Sequence, residues 1–228
     1  MTQLTTLPNT VLAATGRKEY TRLLGHLDTV SLTFGEVLYE PGEPMRFVYF
    51  PRDSLISLLT LVDTYNALEV GLVGYEGMIG TGLALGETKS AVRAVVQGSG
   101  SALRMNAAHF SKELQQSTAL RREVLSYIQV LLNQISRTAA CNRFHPIEKR
   151  LARWLLMTRE RIGSNQLHLT QEFLSHMLGV RRVAVTRAAL ALKHENLIDY
   201  SRGYIDILNV TGLKAAACSC YEDGKKSP

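Results

Sequence analysis

Between Leu169 and Ile198 the chain spells out two short helices about a glycine, and no other stretch restricts its fold as tightly. Thr170 is placed to cap a helix over Gln171–Leu178, with Phe173, Leu174 and Met177 on its inner side. Gly179 follows where a tight turn between helices needs positive φ or close packing, and Val180 plugs that turn. The spacing predicts a second helix from about Arg181 to His194 that buries Val185, Ala189 and Leu192. It leaves Arg181, Arg182, Val183, Thr186 and Arg187 on the outer side. Leu197–Leu208 then alternates around Ser201-Arg202-Gly203 as a β-hairpin does.

Two helices about a glycine, the second opening with arginines and followed by a hairpin, describe a winged helix-turn-helix. Arginine suits the work of such a helix because its fork reads guanine O6 and N7 with two parallel hydrogen bonds. Arg182 and Arg187 stand five apart, so they splay along a groove and reach different base pairs or phosphates. Arg202, at the hairpin tip, is placed to meet a phosphate, and Thr170 and Gln171 open the first helix beside the same backbone. Exposed arginines usually form a solvated face. That bland reading is weak here, because these arginines begin a helix directly after a glycine turn.

Charge points the same way. The net charge is +6, and residues 143–228 hold all of that excess, with 14 Lys/Arg against 8 Asp/Glu. The first 142 residues balance at 12 of each. A neutral part joined to a basic part implies that only one of them faces a polyanion.

Upstream the texture differs. A short helix is expected over residues 17–29, with Tyr20, Leu23, Leu24 and Leu27 on one side. From Val30 to about Met105, short apolar runs broken by Gly and Pro predict a β sandwich or roll. Residues 106–142 turn helical, and Val124, Ile128, Leu131, Ile135 and Thr138 recur at heptad spacing. That seam is expected to pair with a second copy, while Leu125 and Leu132 form a flank toward the roll. His145-Pro146 interrupts the helix and marks a hinge, followed by a helix from Pro146 to about Ile162.

Other chemistry finds little footing. Gly80-Thr-Gly82, with Gly86 beyond, has the look of a dinucleotide loop, but about ten residues leave no room for the crossover helix before the next strand. No catalytic constellation stands out, and an enzyme is not expected. The three cysteines, Cys141, Cys218 and Cys220, form no disulfide framework, and Cys218-Ser-Cys220 lacks histidines at metal-site spacing. No metal, iron–sulfur cluster or haem is therefore expected. The opening residues lack the basic start and apolar middle of a signal peptide, and no apolar run reaches a membrane span. A cytoplasmic protein without membrane contact is the expectation.

The combination resembles the Crp/Fnr family of bacterial regulators over about residues 20–220, most specifically in Cys141–Leu156 and Leu169–Ile198. The resemblance implies an α+β architecture: an N-terminal double-stranded β-helix (jelly-roll) sensor domain over 1–117, a long dimerisation helix and hinge over 118–144, and a C-terminal winged helix-turn-helix over 145–228. It also implies a homodimer on a two-fold symmetric site in double-stranded DNA, with RNA polymerase as a partner if the protein activates. A small-molecule sensor acting through protein contacts is the alternative.

In nucleotide-binding members a Gly-Glu pair takes the ribose and an Arg-Ser pair the phosphate. Here the matching positions are Gly80 and Thr81, then Lys89 and Ser90, with Ser136 at the purine-facing part of the long helix. Threonine lacks the charged acceptor and lysine the two-pronged grip, which argues against cyclic AMP. The effector is then another small molecule or none. The family commonly has a glutamate just after the first reading arginine, where this chain has Val183.

Overall fold

The computed structural model describes residues 9–63, 67–201 and 203–225. Its contacts divide the chain into two compact units. One comprises the residues up to Leu58 with Leu72–Leu131, and the other comprises Leu59–Gly71 with the residues from Leu132 onward. The division falls within the long helix rather than at His145, and a hairpin tip of the β-rich part groups with the C-terminal unit.

The first unit begins with helices α1 (Thr10–Ala13) and α2 (Arg17–Leu24). Seven strands follow: β1 (Asp28–Leu32), β2 (Val37–Tyr39), β3 (Phe47–Pro51), β4 (Leu55–Leu61), β5 (Ala67–Val73), β6 (Arg93–Gly98) and β7 (Gly100–Asn106). They form a three-stranded sheet, β1-β7-β3, and a four-stranded sheet, β2-β6-β4-β5. β7 runs antiparallel to both β1 and β3. The runs read as strands are strands because their apolar residues fill a common interior: Val48, Phe50, Leu55, Ile56, Val96, Leu103 and Met105 are all buried.

Residues 106–142 are two helices rather than one. Asn106 caps α3 (Ala107–Gln116) by accepting from the Ala108 amide at 2.9 Å. Ser117 then leaves helical geometry and its hydroxyl accepts from the Leu120 amide at 3.1 Å, which starts α4 (Thr118–Phe144). Phe110 of α3 meets Phe50 of β3 edge-on, with ring centroids 6.3 Å apart. Tyr127 of α4 lies against Gly77, where a Cβ would fall 2.2 Å from the tyrosine hydroxyl. Only glycine admits that ring.

The faces of α4 are the reverse of the sequence expectation. Val124 is 0% exposed and Leu131 8%, so both are covered by their own chain. Leu125, at 43%, and Leu132, at 52%, face outward. Thr138 also turns inward, receiving Arg153 Nη2 at 3.4 Å. Ile128 and Ile135 are half-buried. Both seams are apolar and lie one residue apart in register, so spacing alone did not decide between them.

The second unit continues with α5 (Ile147–Ile162), β8 (Gln166–His168), α6 (Gln171–Leu178), α7 (Arg182–His194), β9 (Ile198–Ser201), β10 (Tyr204–Ile207), α8 (Val210–Ala216) and α9 (Cys220–Lys225). The hairpin gains a third strand that the sequence did not announce, giving an antiparallel sheet in the order β8-β10-β9. Trp154, buried on α5, donates to Glu69 Oε1 at 2.8 Å and stacks edge-on to Phe173 at 6.5 Å. Among the described residues no helix is long and apolar enough to cross a membrane.

The expectation that the cysteines lack a histidine partner is corrected. Cys141, Cys218 and Cys220 are free, buried and mutually packed, and His145 joins them. Cys141 and His145 lie one helical turn apart, so they share a face, while Cys218-Ser-Cys220 arrives from the far end of the chain. Linear spacing could not reveal that meeting. The Cys141–Cys218 hydrogen bond lowers the pKa of the Cys218 thiol, and burial pushes Cys220 up.

Candidate nucleic-acid interface

The helix-turn-helix forms as its sequence dictates. Thr170 Oγ1 accepts from the Phe173 amide at 3.1 Å and caps α6. Gly179 ends that helix at φ 60°, and the Val180 amide closes back on Ser175 O at 3.0 Å. Arg150 of α5 donates to the Leu178 carbonyl, satisfying one of the acceptors that a helix end leaves open. α6 is thus fixed at both ends before α7 begins.

α7 buries Val185, Ala188, Ala189 and Leu192. That fixes its outer side: Arg181, Arg182 and Arg187 are exposed, and Val183 is 68% exposed. Val183 is an apolar side chain standing in water at the start of a cationic helix face. Leu190 is also exposed one turn beyond Arg187.

Thr186 departs from the expectation of a freely exposed residue. Its half-buried hydroxyl lies 3.1 Å from Gln171 Oε1 and 3.0 Å from Arg182 O, and its single proton serves one of them at a time. Thr186 and Gln171 therefore tie α7 to the start of α6. Tyr200 of β9 joins this corner. Burial raises its pKa, opposed by the nearby Gln171 backbone and the Arg182 charge. Sequence reasoning missed Tyr200, whose place in an alternating strand signals nothing more than a sheet.

Gly203, at φ 84°, turns the hairpin, and its carbonyl accepts from the Leu169 amide at 2.7 Å. The wing is thereby pinned to the residue before the Thr170 cap. Arg202, expected at the wing tip, lies outside the described residues.

Of the residues matched to an effector pocket, Gly80, Thr81, Lys89 and Ser90 lie in the first unit. Gly80, at φ 92°, starts a five-residue 3-10 helix, Thr81–Leu85, which leaves no long helix for a dinucleotide loop. Ser90 is buried, and its hydroxyl donates to Val92 O at 2.7 Å, so it is already used within its own turn. Lys89 is exposed. A cleft of about 230 Å³ on this unit is lined by Tyr39, Glu43, Arg46, Phe47 and Tyr49 among others, and contains none of Thr81, Lys89 and Ser90. Ser136 is exposed on α4 and belongs to the second unit.

Residues 149–216 match the family model described as the Crp-like helix-turn-helix domain. The whole architecture also has solved counterparts. FixK2 from Bradyrhizobium japonicum superimposes with TM-score 0.71 at 15% identity, covering 85% of this chain and 98% of that one. A CRP-family transcriptional regulator from Thermus thermophilus gives 0.68 at 16% identity, covering 82% and 96%. The regulator CLP from Xanthomonas campestris, described as responsive to c-di-GMP, gives 0.68 at 16% identity, covering 83% and 97%.

The chain has the Crp/Fnr regulator fold. No curated protein sequence matches it. Within that fold the two-sheet unit comes first, and α6, α7 and the β8-β10-β9 wing are the helix-turn-helix domain. The α+β expectation and its winged motif agree with this fold.

Proposed function

We propose that the chain is a transcription regulator that reads a two-fold symmetric site in double-stranded DNA as a homodimer. The observation that carries this reading is the outer face of α7, where Arg181, Arg182 and Arg187 flank the exposed Val183 directly after the Gly179 turn. A protein-binding relic of the motif has no evident need for three cations at the groove-entering end. Arg182 and Arg187 are assigned to guanine or phosphate, and Arg181 to phosphate. Val183 cannot accept from cytosine and is assigned to a thymine methyl. Thr170 and Gln171 position the helix pair on the backbone, and Thr186 holds the two helices together.

In the dimer two α7 helices sit ~34 Å apart, one turn of duplex. The pairing surface is the outward seam of α4, Leu125, Ile128, Leu132 and Ile135, rather than the one through Val124 and Leu131. RNA polymerase is a partner if the protein activates. Thr81 and Lys89 do not provide the charged ribose acceptor and forked phosphate grip of a cyclic-nucleotide site, so DNA reading is assigned no cyclic-nucleotide requirement.

Selection of bound sequences from random duplex DNA, at stated salt and with no effector added, tests the reading. Enrichment of a two-fold symmetric site is expected. Binding without any sequence enrichment would overturn it.

A further inference from the structure

We propose that Cys141, His145, Cys218 and Cys220 bind one Zn2+ in a closed tetrahedral site. Their ligand atoms all lie within 4.8 Å of one another. Cys141 Sγ and Cys218 Sγ are 3.5 Å apart, and Cys220 Sγ is 3.6 Å from His145 Nδ1. A tetrahedral zinc with bonds of about 2.3 Å to sulfur and 2.05 Å to nitrogen spaces its ligands about 3.6–3.8 Å apart. The four groups thus stand close to the edge lengths that one ion demands. An iron–sulfur cluster spreads its four ligands over two or four irons, so they cannot all lie within 4.8 Å of one another as these do.

The surroundings are those of an ionic site rather than of an apolar cluster. Buried cysteines can act as small hydrophobes. Here, however, a histidine nitrogen faces one sulfur, and the buried Arg153 guanidinium sits near enough for its charge to act on all three thiols. Arg153 Nε has no hydrogen-bond partner among the described residues. Three thiolates and a neutral imidazole around Zn2+ sum to one negative charge, which Arg153 neutralises. All three cysteines are buried and His145 is half-buried, leaving no open coordination position. That is the form of a structural site, not a hydrolytic one.

The metal would join the last turn of α4 and the His145-Pro146 hinge to the turn before α9 and its first residue. The hinge residue itself becomes a ligand, so metal occupancy stiffens the entry into the helix-turn-helix unit.

The test uses full-length protein purified without chelator. Elemental analysis is expected to find one zinc per chain, and Co2+ exchange to give the thiolate-to-cobalt charge-transfer and strong visible bands of a tetrahedral site. The three thiols should resist a thiol reagent until a chelator is added. His145→Asn should weaken Co2+ binding by more than the roughly 10-fold typical of losing an outer-shell partner. Folded protein that gives no cobalt bands, thiols equally reactive with and without chelator, or iron with acid-labile sulfide in place of zinc would each overturn the proposal. The cobalt and thiol measurements need no variant, so a misfolded substitution leaves the outcome decidable.

Discussion

Arg182 is the first residue of α7, and its side chain is exposed beside Tyr200 and the start of α6. Arg182→Ala is expected to weaken binding to the selected DNA site by about 1–3 kcal/mol and to relax preference at one base position of each half-site. Arg182→Lys keeps the charge but loses the fork, so non-specific binding should survive while discrimination falls. Competition between selected and scrambled duplexes measures both. Gly77 answers to packing instead. A Cβ there would lie 2.2–2.4 Å from the hydroxyl and ring atoms of buried Tyr127. Gly77→Ala is expected to cost about 1–3 kcal/mol of stability in thermal or denaturant unfolding. Most of that loss should disappear when Tyr127 is shortened to Leu in the same chain.

At the scale of elements, α4 shows where pattern reading stops. Its helical nature was legible from spacing, as were the Thr170 cap, the Gly179 turn and the inner face of α7. Which of two apolar seams faces out was not, because Val124/Leu131 and Leu125/Leu132 repeat with the same period. Only the packed structure, with Val124 and Leu131 covered, separates them. The strand β8 was illegible for a related reason: three residues carry too little alternation, and β8 exists only because β10 pairs with it. Glutamate at both Leu125 and Leu132 is expected to yield monomers in sedimentation while leaving the fold intact. Val124→Ala should lower stability by about 2 kcal/mol without changing the oligomeric state.

For the whole molecule, the division of charge between the neutral and the basic part has a measurable counterpart. DNA affinity should fall linearly in log–log terms with salt, and Arg181→Ala should reduce the slope by about 1 per protomer. A slope unchanged by that substitution would remove Arg181 from the phosphate contacts. The broad order of roll, long helix and winged motif was readable because each part has its own periodicity. The cysteine–histidine meeting was not, since its halves stand more than seventy residues apart and neither half alone has metal-site spacing.

Cys141 and Cys218 also bracket the segment that contains every element of the helix-turn-helix and its wing, and their sulfurs are 3.5 Å apart. With the proposed zinc bound, that segment becomes a ring held shut at one point. Cross-linking a loop of this size lowers the entropy of the unfolded chain by an equivalent of about 4.5 kcal/mol in the loop-entropy description. With its ends side by side, the segment is suited to permutation: new termini can open at the turn of exposed Gly163, with a short linker joining the old ones.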